Sequence, residues 1–271
     1  MPHLTTPAGT RRYAAATTVG LGAPGYAHPL LAPLEWASLA SAAAARPATP
    51  LHWSVLNIAN GPGIRPDPHC LEAAGRLRNA GSRVLGHLDL AHGARPFGEL
   101  VSDAHRYLDW YQVDGFYADR APAGPSALPP TRRITATLRA LRPEGHLVLG
   151  HGTHPHPGYA EAADQLVTFN GPWSEYRWSQ VAEWTADHEP GKFCHLVHGM
   201  PRGHLEEALR IARWQGAGTI WFTDRTARTA RTARTACTDG TSLTDRTAAP
   251  FEAMPGYWDE IVSHIGHGVS E

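Results

Sequence analysis

Short apolar runs closed by Gly, Pro or Asn recur along the chain, and between them apolar residues fall at helical spacing. A run of about four to eight apolar residues bounded by turn formers reads as a buried strand, and an i, i+3, i+4 pattern reads as a helix. Strands are predicted on this basis at 17–21, 53–58, 83–88, 113–120, 146–149, 165–169, 193–198 and 219–223. Helices are predicted at about 33–45, 68–80, 98–111, 130–141, 174–183, 204–215 and 251–265, with a short one near 159–163. Within the second helix Leu71, Ala74 and Leu77 sit one turn apart, and Gly81 supplies the stop. Within 204–214, Leu205, Leu209, Ile211 and Ala212 share one face, while Glu206, Glu207, Arg210 and Arg213 point outward. Eight strand–helix alternations in one chain predict an α/β fold of the (β/α)8, or TIM-barrel, type. The competing architecture is an open doubly wound sheet, but the glycine-rich GxGxxG turn that marks it is missing after the first strand.

The 271 residues suffice for a single large domain. We expect a tail over 1–16, the barrel over 17–266 and a second tail over 267–271. An insertion interrupts the last strand–helix connection at about 225–248: RTA is repeated four times over 225–236, and TDRTA occurs at both 223–227 and 244–248. Removing one copy and the sequence between them leaves a connection of ordinary length, so the insert reads as a repeat expansion. The functional alternative is a basic arm for an anionic ligand.

Charge and cysteine content narrow the function. A net charge of −1 invites neither nucleic acid nor an anionic membrane, and no apolar stretch approaches the 18 or so residues of a membrane span. Cys70, Cys194 and Cys237 are odd in number, widely spaced and without CxxC spacing, which argues against a disulfide framework and a cysteine-rich zinc motif. No cofactor or metal is expected. Arg11 and Arg12 precede YAAATTVGLGA, a faint twin-arginine-like start, but its apolar part is short and broken by Thr and Gly, so a cytoplasmic protein is the expectation.

The chemistry is expected where VDGFYADR (113–120) ends in an acid and a base, Asp119 and Arg120, because barrel enzymes carry their sites at the carboxyl ends of the strands. Asp89 after the third strand and Asp224 after the eighth are further carboxylates at such ends. Tyr26, Tyr117, Trp173, Tyr176 and Trp178 could offer flat faces to sugar rings. Asn57 and Asn60 suit hydroxyl partners, although Asn60 in ANGPG equally suits a turn. Of the 17 histidines, His151, His154 and His156 cluster after the fifth strand, with His87 and His92 at the third. Together with Asp119 they could ligate zinc in a deacetylase, but HGTHPH lies in a Pro- and Gly-rich loop whose spacing fixes no rigid ligand set. Contacts with sugar or solvent are the favoured roles.

Several segments together resemble spherulation-specific family 4, the spherulin-4-like proteins. They are NGPG (60–63), LRNAGSRVLGHLDLAHGARP (77–96), WYQVDGFYADR (110–120), PGYAEAADQLVTFNGPW (157–173), FCHLVHGMP (193–201) and MPGYWDEI (254–261). The resemblance implies a (β/α)8 fold and, from the characterised branch, hydrolysis of α-1,4-linked N-acetylgalactosamine polymers. That branch carries an Asp–Glu pair after strand four and a Glu after strand six. Asp119 matches the first acid, whereas Arg120 and Asn170 stand where the other two would be. The resemblance therefore implies a carbohydrate-active barrel acting on a polysaccharide or oligosaccharide, with Asp119 catalytic. Arg120, Asn170, Asn60, Asp89, His92, His154, Trp173, Tyr26 and Asp224 are then the expected substrate contacts. A barrel that kept sugar binding and lost hydrolysis is the alternative.

Overall fold

A computed structural model describes residues 19–25, 27–45, 50–226, 250–251 and 253–266. Eight parallel strands, β1 (Gly20–Ala23), β2 (Leu51–Leu56), β3 (Arg83–Asp89), β4 (Gly115–Asp119), β5 (His146–Gly150), β6 (Gln165–Pro172), β7 (Phe193–His198) and β8 (Thr219–Phe222), close into a barrel in chain order. Around it lie α1 (Pro33–Ala44), α2 (Pro68–Asn79), α3 (Phe97–Tyr111), α4 (Leu128–Leu141), α5 (Trp173–Tyr176), α6 (Leu205–Trp214) and α7 (Trp258–Gly266). This is the (β/α)8 fold that the alternation predicts. The predicted tails, 1–16 and 267–271, lie outside the described residues, as does the predicted insertion apart from residues 225 and 226.

The barrel strands are almost wholly buried, so they read as continuous apolar runs rather than as alternating ones. A polar web nevertheless ties opposite walls together. Trp53 Nε1 donates to Gln165 Oε1 at 2.8 Å, and Gln165 Nε2 donates to Thr219 Oγ1 and to the Gly191 carbonyl, both at 2.9 Å. These bonds connect β2, β6 and β8 and satisfy polar groups that burial would otherwise make costly. Outside the barrel, Gly86 lets α3 approach closely, since a Cβ there would lie 2.6 Å from the Tyr107 ring.

Several elements differ from the sequence expectation for identifiable reasons. In α2 the buried stripe is Cys70, Ala73, Ala74 and Leu77, and Leu71 is exposed, one position off the predicted face. The helix predicted at 174–183 shrinks to the four residues of α5. Ser179 ends it, its amide and its hydroxyl both donating to the Tyr176 carbonyl, the local competition with helical bonding that serine favours. After β5 a 3₁₀ turn, Pro157–Tyr159, replaces a helix, as expected where proline and glycine crowd together. The last helix begins at Trp258 rather than near 251, just beyond Pro255 and Gly256.

Candidate functional site at the barrel mouth

The carboxyl ends of β3 and β4 bring two acids side by side. Asp89 and Asp119 are register partners on adjacent parallel strands, a placement in which two negative charges disfavour each other. The fold resolves the conflict by treating them differently.

Asp89 is buried and fully engaged. Its Oδ1 accepts the Ala91 amide and Arg120 Nε, both at 2.8 Å, and its Oδ2 accepts Asn60 Nδ2 at 3.0 Å and the Arg120 terminal nitrogen. Burial alone would raise its pKa. The bonds from Arg120, Ala91 and Asn60 outweigh that and hold the carboxyl down at about 2. Among the described residues, four of the five non-glycine positions with positive φ surround this carboxylate: Asn60 (57°), Ala91 (47°), His92 (54°) and Arg120 (48°). Left-handed backbone at Ala, His and Arg costs on the order of 1 kcal/mol each. The strain is held by the Asp89 bonds and by the His92 amide donating to the Arg120 carbonyl at 2.8 Å.

Asp119, by contrast, is presented. Its side chain is 33% exposed, and its only close side-chain partner among the described residues is His87 Nε2, 3.4 Å from Oδ2. Oδ1 occupies the space above Gly150, where a Cβ would come within 3.1 Å of it and 3.0 Å of the Tyr117 hydroxyl. Glycine at 150 therefore makes room for the acid. Beneath it Tyr117 is buried and stacks on His87 with 6.3 Å between ring centroids.

Around the rest of the mouth the expected residues scatter. Asn170 is exposed near the end of β6, where its backbone N–H donates to the Gly152 carbonyl at 3.1 Å. Arg120 does not face Asp119 as a free substrate-binding cation, because its guanidinium is committed to Asp89. Asp224 accepts the Gly256 amide at 2.9 Å and lies 3.8 Å from Arg225, linking the end of β8 to the residues just before α7. His92 is exposed. His154 is half-buried and close enough to His195 for its charge to depress that ring.

The aromatic platform is smaller than the sequence suggests. Trp173, Tyr176 and Tyr117 are buried, and Tyr176 spends its hydroxyl on His195 Nδ1 at 2.9 Å. Trp178 is 78% exposed, and Tyr26 lies outside the described residues. The histidines after β5 diverge. His151 packs edge-on against Tyr159, His156 Nδ1 accepts the Gly158 amide, and the three form no metal-ligand set among the described residues.

Sequence reasoning missed Glu175. It stands in the first turn of α5, and its Oε2 lies 3.7 Å from where a Gly171 Cβ would be, so it folds back over the end of β6. It makes no ion pair among the described residues. Its position five residues beyond Asn170, just past a strand end, was the available signal.

A model of the family described as Spherulin4, spherulation-specific family 4, matches residues 21–265, all but the first and last residues of the barrel. The chain belongs to that family. Among curated proteins it is similar to Spherulin-4 of Physarum polycephalum, with 24% identity over 185 residues, covering 64% of this chain and 55% of that protein. The chain thus matches about half the length of that relative. Among solved structures it is similar to Aspergillus clavatus Sph3, crystallised in complex with GalNAc. The TM-score is 0.74 at 22% identity, covering 93% of this chain and 99% of that one, a likeness of fold. The glycoside hydrolase domain of PelA from Pseudomonas aeruginosa is more distant, with a TM-score of 0.43 at 18% identity, covering 75% of this chain and 95% of that one.

Proposed function

We propose that the protein is a carbohydrate-active barrel that engages hexosamine polysaccharide of the N-acetylgalactosamine type at its mouth, with Asp119 as the working acid. Asp119 carries the reading. It is a supported carboxylate at a strand end, left open while the acid beside it is neutralised, and it stands where the family's hydrolases keep a catalytic carboxylate. The GalNAc bound in the Sph3 crystal suits the same ligand class.

Glycoside hydrolysis ordinarily needs one protonated and one ionised carboxyl group. Asp89, held at about 2, remains ionised at neutral pH and cannot serve as the acid. In the reading that keeps hydrolysis, Asp119 is the ionised member of the pair and takes a proton from the water that attacks C1, Glu175 protonates the departing oxygen as the glycosidic bond breaks, and Asn170 hydrogen-bonds the substrate.

One observation favours a second reading, a barrel that binds the polymer without cutting it. Of the three family carboxylate positions, one holds a guanidinium locked to Asp89 and another holds an amide. Incubation with α-1,4-linked galactosamine polymers, acetylated and not, separates the two. Hydrolysis releases new reducing ends, and Asp119→Asn abolishes them. Retention of polymer without release supports the binding protein, and neither retention nor release by a folded chain overturns both readings.

A further inference from the structure

The loops after β1 and β2 bring together three side chains that can all ligate a metal. His28 follows β1, Asp67 caps α2, and Cys70 lies in the first turn of that helix. One donor atom from each lies within 4.8 Å of the other two. His28 Nε2 is 3.0 Å from Asp67 Oδ2, and Asp67 Oδ1 accepts the Cys70 amide at 3.0 Å. The carboxylate therefore caps the helix with one oxygen and turns the other towards the histidine. Cys70 is buried, whereas His28 and Asp67 are half-buried, so the trio is reachable from solvent on one side.

We propose that His28, Asp67 and Cys70 form a zinc site that clips the first strand–helix loop to the second. The donor set, one imidazole nitrogen, one carboxylate oxygen and one thiolate sulfur, suits zinc and is poor for the hard cations magnesium and calcium. Tetrahedral zinc with its usual bond lengths holds ligand atoms roughly 3.3–3.7 Å apart. The pair at 3.0 Å has to open slightly and the sulfur, within 4.8 Å of both, to close by at most about 1 Å, a side-chain adjustment. Water fills the fourth position. The His69 ring lies edge-on to His28, with 6.2 Å between centroids.

The proton balance is definite. Without metal, His28 Nδ1 accepts the Leu30 amide at 3.2 Å, so Nε2 carries the ring proton and donates it to Asp67. On binding, bonds form from zinc to Nε2, Oδ2 and Sγ. The ring proton moves to Nδ1, and the exposed Leu30 amide turns to water. The thiol proton leaves to solvent, so one proton is released per zinc. Because the thiol has to give up its proton to bind, affinity weakens as pH falls.

The test uses the full chain, stripped with chelator and kept reduced, titrated with cobalt(II) and then zinc. We expect one cobalt per chain with a thiolate-to-cobalt charge-transfer band, displaced by zinc. Zinc at a hundredfold excess over Kd should raise Tm by roughly 5–10 °C. Cys70→Ser should abolish the band, and His28→Gln and Asp67→Asn, the latter keeping a capping oxygen, should weaken binding at least tenfold. Cys194→Ala should leave the band unchanged. Alkylation of the wild-type chain gives a readout that needs no variant: zinc should protect Cys70. Absence of the band, a band that survives in Cys70→Ser, or unprotected Cys70 overturns the proposal and leaves the trio a hydrogen-bonded helix cap. None of these readouts depends on polysaccharide cleavage.

Discussion

At the scale of single residues, the mouth shows how two adjacent acids acquire different roles. Asp89 receives a guanidinium, an amide side chain and a backbone N–H, while Asp119 receives, among the described residues, only His87. Arg120 is thus a structural partner of Asp89, which changes what substitutions do. Rebuilding the family's acid pair by Arg120→Glu removes the countercharge and sets a second carboxylate against a buried one. With a discount for the half-exposed guanidinium, this should cost roughly 2–3 kcal/mol and lower Tm by about 5–10 °C. Asn170→Glu is the better reconstruction, because position 170 is exposed at a strand end and has no such partner to lose. We expect that variant to keep the parent Tm and to raise release of reducing ends from N-acetylgalactosamine polymer about 10²-fold. An equal Tm for Arg120→Glu, read by thermal melting, would refute the structural role, and an inert but folded Asn170→Glu would separate position 170 from the chemistry.

At the scale of elements, the barrel is unevenly clothed. Long helices follow β1 to β4, whereas a 3₁₀ turn follows β5 and a four-residue helix follows β6. Asn170 in β6 and Glu175 in the first turn of α5 both lie at this end of the barrel, so the side with less helix carries candidate chemistry. After β8 the connection is lengthened by the RTA tract. Deleting 228–248 removes the rest of the tract and the second TDRTA and joins Ala227 directly to Ala249. Because loop closure costs only about (3/2)RT ln n, the deletion should leave Tm unchanged or slightly raised. Differential scanning calorimetry of the shortened chain checks this, and loss of the folding transition would show the insert to be part of the barrel.

At the scale of the whole molecule, stability should depend steeply on acid. Burial lowers His146 and His151 to about 4, and burial with the nearby His154 lowers His195 to about 3. An unfolded chain protonates these rings near 6.5, so below that pH the unfolded state binds more protons than the folded one. Stability is intact above about 6.5 and drains as pH falls towards 4, by up to roughly 4 kcal/mol per pH unit when all three rings contribute. Melting temperatures measured between pH 7 and 4 should fall steeply, and a flat profile would show that the rings gain protons without unfolding. The sequence by itself determined the barrel, because eight buried strands and their intervening helices each carry their own local periodicity and stops. It also marked Asp119, because an acid closing an apolar run lies at a strand end whatever the packing. Only the tertiary structure decided the remainder. Asp89 and Arg120 pair across 31 positions and His28 meets Asp67 across 39, separations at which no spacing rule operates. Burial of Trp173 and Tyr176 likewise depends on which side of a short helix faces the barrel, and that is settled by packing against His204 and His195 rather than by anything local.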